Sequence, residues 1–379
     1  MLGCESGGRA WSALPGDAPL PAKAVPLLLA HGAALAEALP APGVHDLWCT
    51  VTAEAILRSA RLRVLSALAE RVLDDPPSPF VLDITGMSRG DLAAWTAGCA
   101  ARCAALTRLM GEAADREALR LLGESDPPLD TSVVDKAEGL VQGVAEAESL
   151  GRVGRRVKRG YTSLDPTVSA RARVQVLEMA ARALATRSPA AGLSGVDPLA
   201  AAVRTLNAAA RRGIEQALPA AVHLQVFSAF PAHPTRDWLI HRLRGALDAV
   251  TDRGGAALDE TLLDDAERWR SLLEEEAEQV FLAEVLERHF AGFGIPLSVT
   301  TDQVAPAVVL AGPDGRLLLD GGRVRGGPSG DGTVSSRFVE AFGLLGSVTG
   351  GIPVWDPAAF AEPRGTAGLD QSPNSLTRR

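Results

Sequence analysis

The sequence predicts a helix-rich α+β protein: a mainly helical N-terminal domain followed by a smaller mixed α/β domain. Three observations carry this. Apolar residues recur at helical spacing, with capping residues before several runs, up to about residue 195. A Pro/Gly/Ser-rich break follows between Ser188 and Pro198. Short apolar runs bounded by turn residues then appear at 222–230 and within 295–320. With 379 residues the chain is long enough for two domains. The expected division is a disordered arm at 1–22, the helical domain at 23–195, the mixed domain at 196–355 and a disordered tail at 356–379.

In chain order, Leu28, Leu29, Ala33, Leu35 and Leu39 outline a first helix, ended by the Pro40–Gly43 loop. Ile56, Ala60, Val64, Ala67 and Leu68 outline a second from Thr52 to Leu73, stopped at Asp74-Asp75-Pro76-Pro77. Phe80–Ile84 is expected to be a short buried strand, and any ligand of that unit would sit near Asp83 and Thr85. Ser88 and Asp91 form a capping box that opens a helix to about Met110. A further helix begins at Ser132, and another at Asp165-Pro166, separated by an arginine-rich loop. Leu199–Ala217 is expected to be helical and Val222–Phe230 a strand. Helices at Thr235–Val250 and Leu258–Phe290 come next. Two strands then flank a Pro313-Asp314-Gly315 turn, a glycine-rich loop follows to Gly332, and a short helix at Ser336–Leu345 closes the fold.

Composition narrows the function classes. Apolar residues make up 46% and charged residues 22%, which suits a folded globular chain. Four cysteines are too few for a secreted disulfide scaffold. The opening MLGCESGGRAW has no basic stretch leading into an apolar one, so no secretory signal is expected and the expected location is cytoplasmic. The longest uncharged stretch, Gln216–Thr235, holds three prolines and two histidines and does not suit a membrane span.

Charge is strongly polarised. Between Arg152 and Arg187 nine basic residues face two acids, a net +7, in a chain whose formal charge is −8. Between Leu258 and Glu287 eleven acids face two arginines, a net −9. Guanidinium groups offer bidentate donors to carboxylate and phosphate. Arg152, Arg155, Arg156, Lys158, Arg159, Arg171 and Arg173 are therefore candidate anion-binding residues, with Tyr161, the one tyrosine, placed to stack on a ligand ring. RNA is a weaker expectation, because the chain is acidic and a single aromatic interrupts the run.

His233, Asp237 and His241 repeat every four residues and are candidate catalytic groups on one helix face. No metal site is expected from them, since Pro234 makes His233 a helix-entry residue and an acid in a first turn also serves the helix dipole. Cys99 and Cys103, one turn apart among alanines, suit a buried core position. The Gly326–Thr333 loop lacks the Lys-Ser/Thr ending of a phosphate-binding loop.

His223-Leu-Gln-Val226, then Leu286-Glu-Arg-His289, Gly292 and Ile295-Pro-Leu297, resemble one stretch of the lantibiotic-dehydratase family. There an HVDL-type strand leads through helices to a helix ending in F-x-x-R-Y, then Gly and VPL. His289 stands where that family has Tyr, and the likeness covers about residues 218–297. It implies peptide modification by glutamate transfer from glutamyl-tRNA, without placing functional residues here. The expected function is a soluble cytosolic accessory or binding protein that recognises an anionic ligand or partner through the arginine-rich inter-helix segment. The alternative is a group-transfer enzyme for a phosphate- or tRNA-bearing substrate. No cofactor is indicated.

Overall fold

The structure, a computed structural model, describes residues 19–38, 47–75, 82–125, 128–143, 151–186, 189–253, 259–301, 308–320, 323–345 and 353–357. It is helix-rich α+β, with ten α-helices and one five-stranded sheet among those residues. The contacts divide the chain into a helical unit, Gly16–Leu273, and a second unit from Glu274 onward. The expected boundary at 195/196 falls inside a continuous helix, and the division lies instead within the acidic helix. Most of the expected arm and tail lies outside the described residues. Leu20, assigned to the arm, is buried and exchanges backbone hydrogen bonds with Gly86 and Met87.

In the helical unit, α1 (Val25–Ala38) packs on α2 (Leu47–Ala69), which also contacts α3 (Arg89–Gly123). The capping box at the start of α3 forms as expected: Ser88 Oγ accepts from the Asp91 N–H, and the Asp91 carboxylate accepts from the Ser88 N–H. α4 (Thr131–Val141) is capped by Asp130 rather than Ser132, whose own N–H is the capped donor.

The expected arginine-rich loop is a helix, α5 (Gly151–Thr162). Its buried positions, Gly154, Val157 and Tyr161, are spaced three and four apart, so a narrow stripe suffices to seat it while arginines cover the rest. α6 begins later than Asp165, at Ala170–Ala185, because Asp165 Oδ1 accepts from the Thr167 N–H and hydroxyl in a turn.

The largest correction concerns 222–230. This stretch is the end of α7, a 41-residue helix from Pro189 to Ala229 that contains Pro198 and Pro219. Ala221 to Phe227 are all buried, His223 and Gln225 included, so the alternation of these two with Val222, Leu224 and Val226 reads as a strand although both polar side chains lie inside the helical unit. Phe80 and Val81 lie outside the described residues, and Leu82–Ile84 is not a strand; the Leu82 N–H donates to Gln225 Oε1 on α7. α8 (Pro234–Arg253) follows, with Arg236 donating to the carbonyls of Phe227 and Ser228 that end α7. α9 (Glu260–Gly292) runs through the division between the units.

The second unit holds the sheet. β1 (Ser298–Thr301), β2 (Val308–Gly312), β3 (Gly315–Asp320) and β4 (Arg323–Gly327) form an antiparallel meander, and β5 (Val354–Trp355) adds in parallel to β4. The expected turn connects β2 and β3, with Gly312 opposite Gly315. β4 replaces part of the expected flexible loop. Leu310, Leu317, Leu319 and Val324 pack with Phe290 of α9 and with Phe338 and Phe342 of α10 (Ser336–Gly343). A Cβ on Gly326 would lie 2.4 Å from the Phe342 ring, so the missing side chain is what admits that ring to the sheet. No helix among the described residues is long and apolar enough to cross a membrane.

Candidate functional site

Two adjoining features of the helical unit draw on the predicted basic residues. The first is the exposed face of α5. Arg152, Arg155, Arg156 and Arg159 are all exposed and fall at i, i+3, i+4 and i+7, one continuous face about 10 Å long at 1.5 Å per residue. None forms an ion pair with a described residue. Lys158 is different: it is half-buried and donates to the Gly143 carbonyl at 3.4 Å.

This face is unfavourable for the helix that carries it. Arg152/Arg156 and Arg155/Arg159 are like-charged i,i+4 pairs, each destabilising by about 0.2–0.5 kcal/mol. α5 also has no acid in its first turn, so Arg152 meets the positive end of the helix dipole.

The second feature is a cleft of about 690 Å³ beside the C-terminal end of α5. One wall is the α3 face from Ala100 to Asp115, and Arg58 and Arg61 of α2 stand at its edge. At its base Asp115 Oδ1 accepts from the Tyr161 hydroxyl at 2.6 Å and from Arg173 Nη1 at 2.7 Å. Arg173 is buried and also donates from Nε to the Val168 carbonyl and from Nη2 to the Asp165 carbonyl. Gly111 permits this packing, since a Cβ there would be 3.1 Å from Pro166 Cβ.

The roles of the predicted residues therefore separate. Tyr161 is not a stacking platform: burial and the Asp115 carboxylate push its hydroxyl above the usual range and keep it a donor. Arg173 anchors the α5–α6 turn and faces the cleft. Arg171 is exposed on α6. Arg58, Arg61 and Arg108 line the cleft but belong to α2 and α3, and no local sequence pattern singles them out.

His233, Asp237 and His241 are all exposed. His233 Nδ1 accepts from the Thr235 N–H at 3.2 Å, a cap on the start of α8, and its ring lies 6.3 Å from Trp269. Asp237 pairs with Arg236 at 3.3 Å. No group of three His, Cys, Asp or Glu side chains is placed to hold a metal ion among the described residues.

No protein-family model, curated protein or solved structure matches this chain. His223–Val226, the stretch that resembles the family's strand, is helical here.

Other predicted spots are taken up locally. Asp83 Oδ1 accepts from the Thr85 N–H before Gly86, a turn rather than an open strand end. In the glycine-rich loop Asp331 accepts from the Ser329 hydroxyl and from the Thr333 N–H and hydroxyl, which hold its carboxyl down at about 2. Burial pushes the Cys99 thiol up to about 11, with Cys103 adding to the shift, and both are core residues.

Sequence reasoning missed a buried polar pair. His223 on α7 is 3% exposed, its Nδ1 has no hydrogen-bond partner, and burial followed by the Arg270 charge lowers its pKa to about 4. Its apolar neighbours in sequence gave no signal for this environment.

Proposed function

We propose that the chain is a binding protein whose α5 face docks an acidic polypeptide segment of a partner. The observation that carries this is the face of four arginines. It weakens its own helix through like-charge neighbours and has no carboxylate partner among the described residues. A local arrangement that opposes folding is expected where function requires it.

Carboxylate side chains suit such a face, because each guanidinium can bind one in bidentate fashion. A nucleic acid suits it less. One helix face spans about 10 Å, and few phosphates can be met along it. Tyr161, the one tyrosine, is committed to Asp115 and supplies no base-stacking surface.

The test is fluorescence anisotropy of the full chain with a labelled oligoglutamate peptide and, separately, a labelled single-stranded RNA, each over a salt series. The peptide is expected to bind with a salt-dependent affinity. Arg155→Ala/Arg156→Ala is expected to weaken it about tenfold or more, as loss of two charge-assisted contacts implies, and to flatten the salt dependence. Unchanged affinity and slope in the variant overturn the proposal. So does tighter binding of the RNA than of the peptide at equal salt.

A further inference from the structure

The geometry points to the cleft between α2, α3 and the α4–α5 ends as a second site, one that binds a small organic monocarboxylate with an apolar body. Its volume of about 690 Å³ lies within the range of small-ligand pockets, roughly 300–1,000 Å³. The floor is built around a charged group out of solvent. The Arg173 side chain is 4% exposed, and three of its five N–H groups are committed to Asp115, Val168 and Asp165, leaving two.

The charges that line the cleft select a monoanion. Arg173 neutralises Asp115 at 2.7 Å, and Arg108 stands 3.9 Å from Glu112. Arg58 reaches Glu54, outside the cleft lining, at 3.6 Å, and Arg61 has no ion-pair partner among the described residues. The surplus positive charge is thus small and sits on the α2 side. A dianion would meet the fields of Glu112 and Asp115 with too little to offset them.

The side away from α2 is apolar, formed by Leu140, Val141, Leu164 and Pro166. Leu140 and Val141 are also the last residues of α4, whose carbonyl end repels an anion. The two sides orient the ligand: the carboxylate lies at Arg58 and Arg61, and the hydrocarbon body lies against the ends of α4 and α5.

The test is calorimetric titration of the full chain with octanoate, with 1-octanol and octanedioate as comparisons. Octanoate is expected to bind with the highest affinity of the three. Arg61→Ala, an exposed change that keeps the fold, is expected to weaken it about tenfold or more, and Val141→Asp to abolish it with the helical circular dichroism retained. Arg155→Ala/Arg156→Ala, outside the cleft, is expected to leave it unchanged, which separates this site from the α5 face. Absence of octanoate binding, equal binding of octanol or octanedioate, wild-type affinity in Arg61→Ala, or equal loss in the α5 variant each overturns the assignment.

Discussion

Replacing His223 with leucine is expected to remove an acid-sensitive component of stability. In the folded chain the imidazole is 3% exposed, lacks a partner at Nδ1, and titrates at about 4 against an ordinary value of about 6.5. The folded pKa is depressed, so between the two values the unfolded chain binds a proton that the folded chain does not. Stability is therefore full above about pH 6.5 and falls as pH drops toward 4. Linkage puts the loss between pH 7 and pH 4.5 at about 2–3 kcal/mol. A leucine side chain cannot titrate, fits among the apolar neighbours of α7, and leaves no unpaired ring nitrogen. Urea unfolding followed by circular dichroism across this pH series measures the effect. The wild-type unfolding free energy should fall by that amount relative to the His223→Leu variant. Parallel pH profiles for the two proteins would refute the reasoning.

Two further substitutions probe the packing. Tyr161→Phe removes the hydroxyl donor to Asp115 while Arg173 remains, and should cost about 1.5–3 kcal/mol in chemical denaturation; Arg173→Met, which strips Asp115 of its cation, should cost more, about 3–5 kcal/mol. Gly326→Ala forces a methyl against the Phe342 ring and should destabilise the second unit by at least about 1–3 kcal/mol, seen as a lower melting temperature in the near-ultraviolet signal.

The elements that were legible in the sequence are those whose apolar stripe faces one way. α3 announces itself through Ser88 and Asp91, and the β2–β3 hairpin through its Pro-Asp-Gly turn, because both signals are local. The end of α7 misleads because His223 and Gln225 alternate with Val222, Leu224 and Val226 as in a strand, while burial of all of Ala221–Phe227 removes the polar face that would mark a helix. α5 was obscured by composition, since five of its twelve residues are Arg or Lys and only a narrow stripe is buried.

The basic segment itself was legible, but not the division of labour within it. The Asp115–Tyr161–Arg173 cluster joins residues 46 and 58 positions apart, and the cleft adds arginines from two other helices. Such convergence is a property of packing, and no spacing rule along the chain reports it. The charges of the acidic segment were likewise visible, whereas the buried His223–Arg270 pair became visible only once α7 and α9 were placed.

The two-residue strand β5 has a consequence out of proportion to its length. It covers the outer side of β4, secured by the Asp356 N–H to the Gly326 carbonyl at 2.9 Å, by Arg325 to Asp356 at 3.4 Å, and by Trp355 edge-on to Phe342 at 5.4 Å. Without it, β4 would present unpaired backbone groups along a glycine-containing edge, the kind of template on which chains add to one another. Proteolytic removal of residues after Leu345 would thus turn an edge closed by the chain itself into one open to intermolecular strand addition, and self-association would be the first symptom.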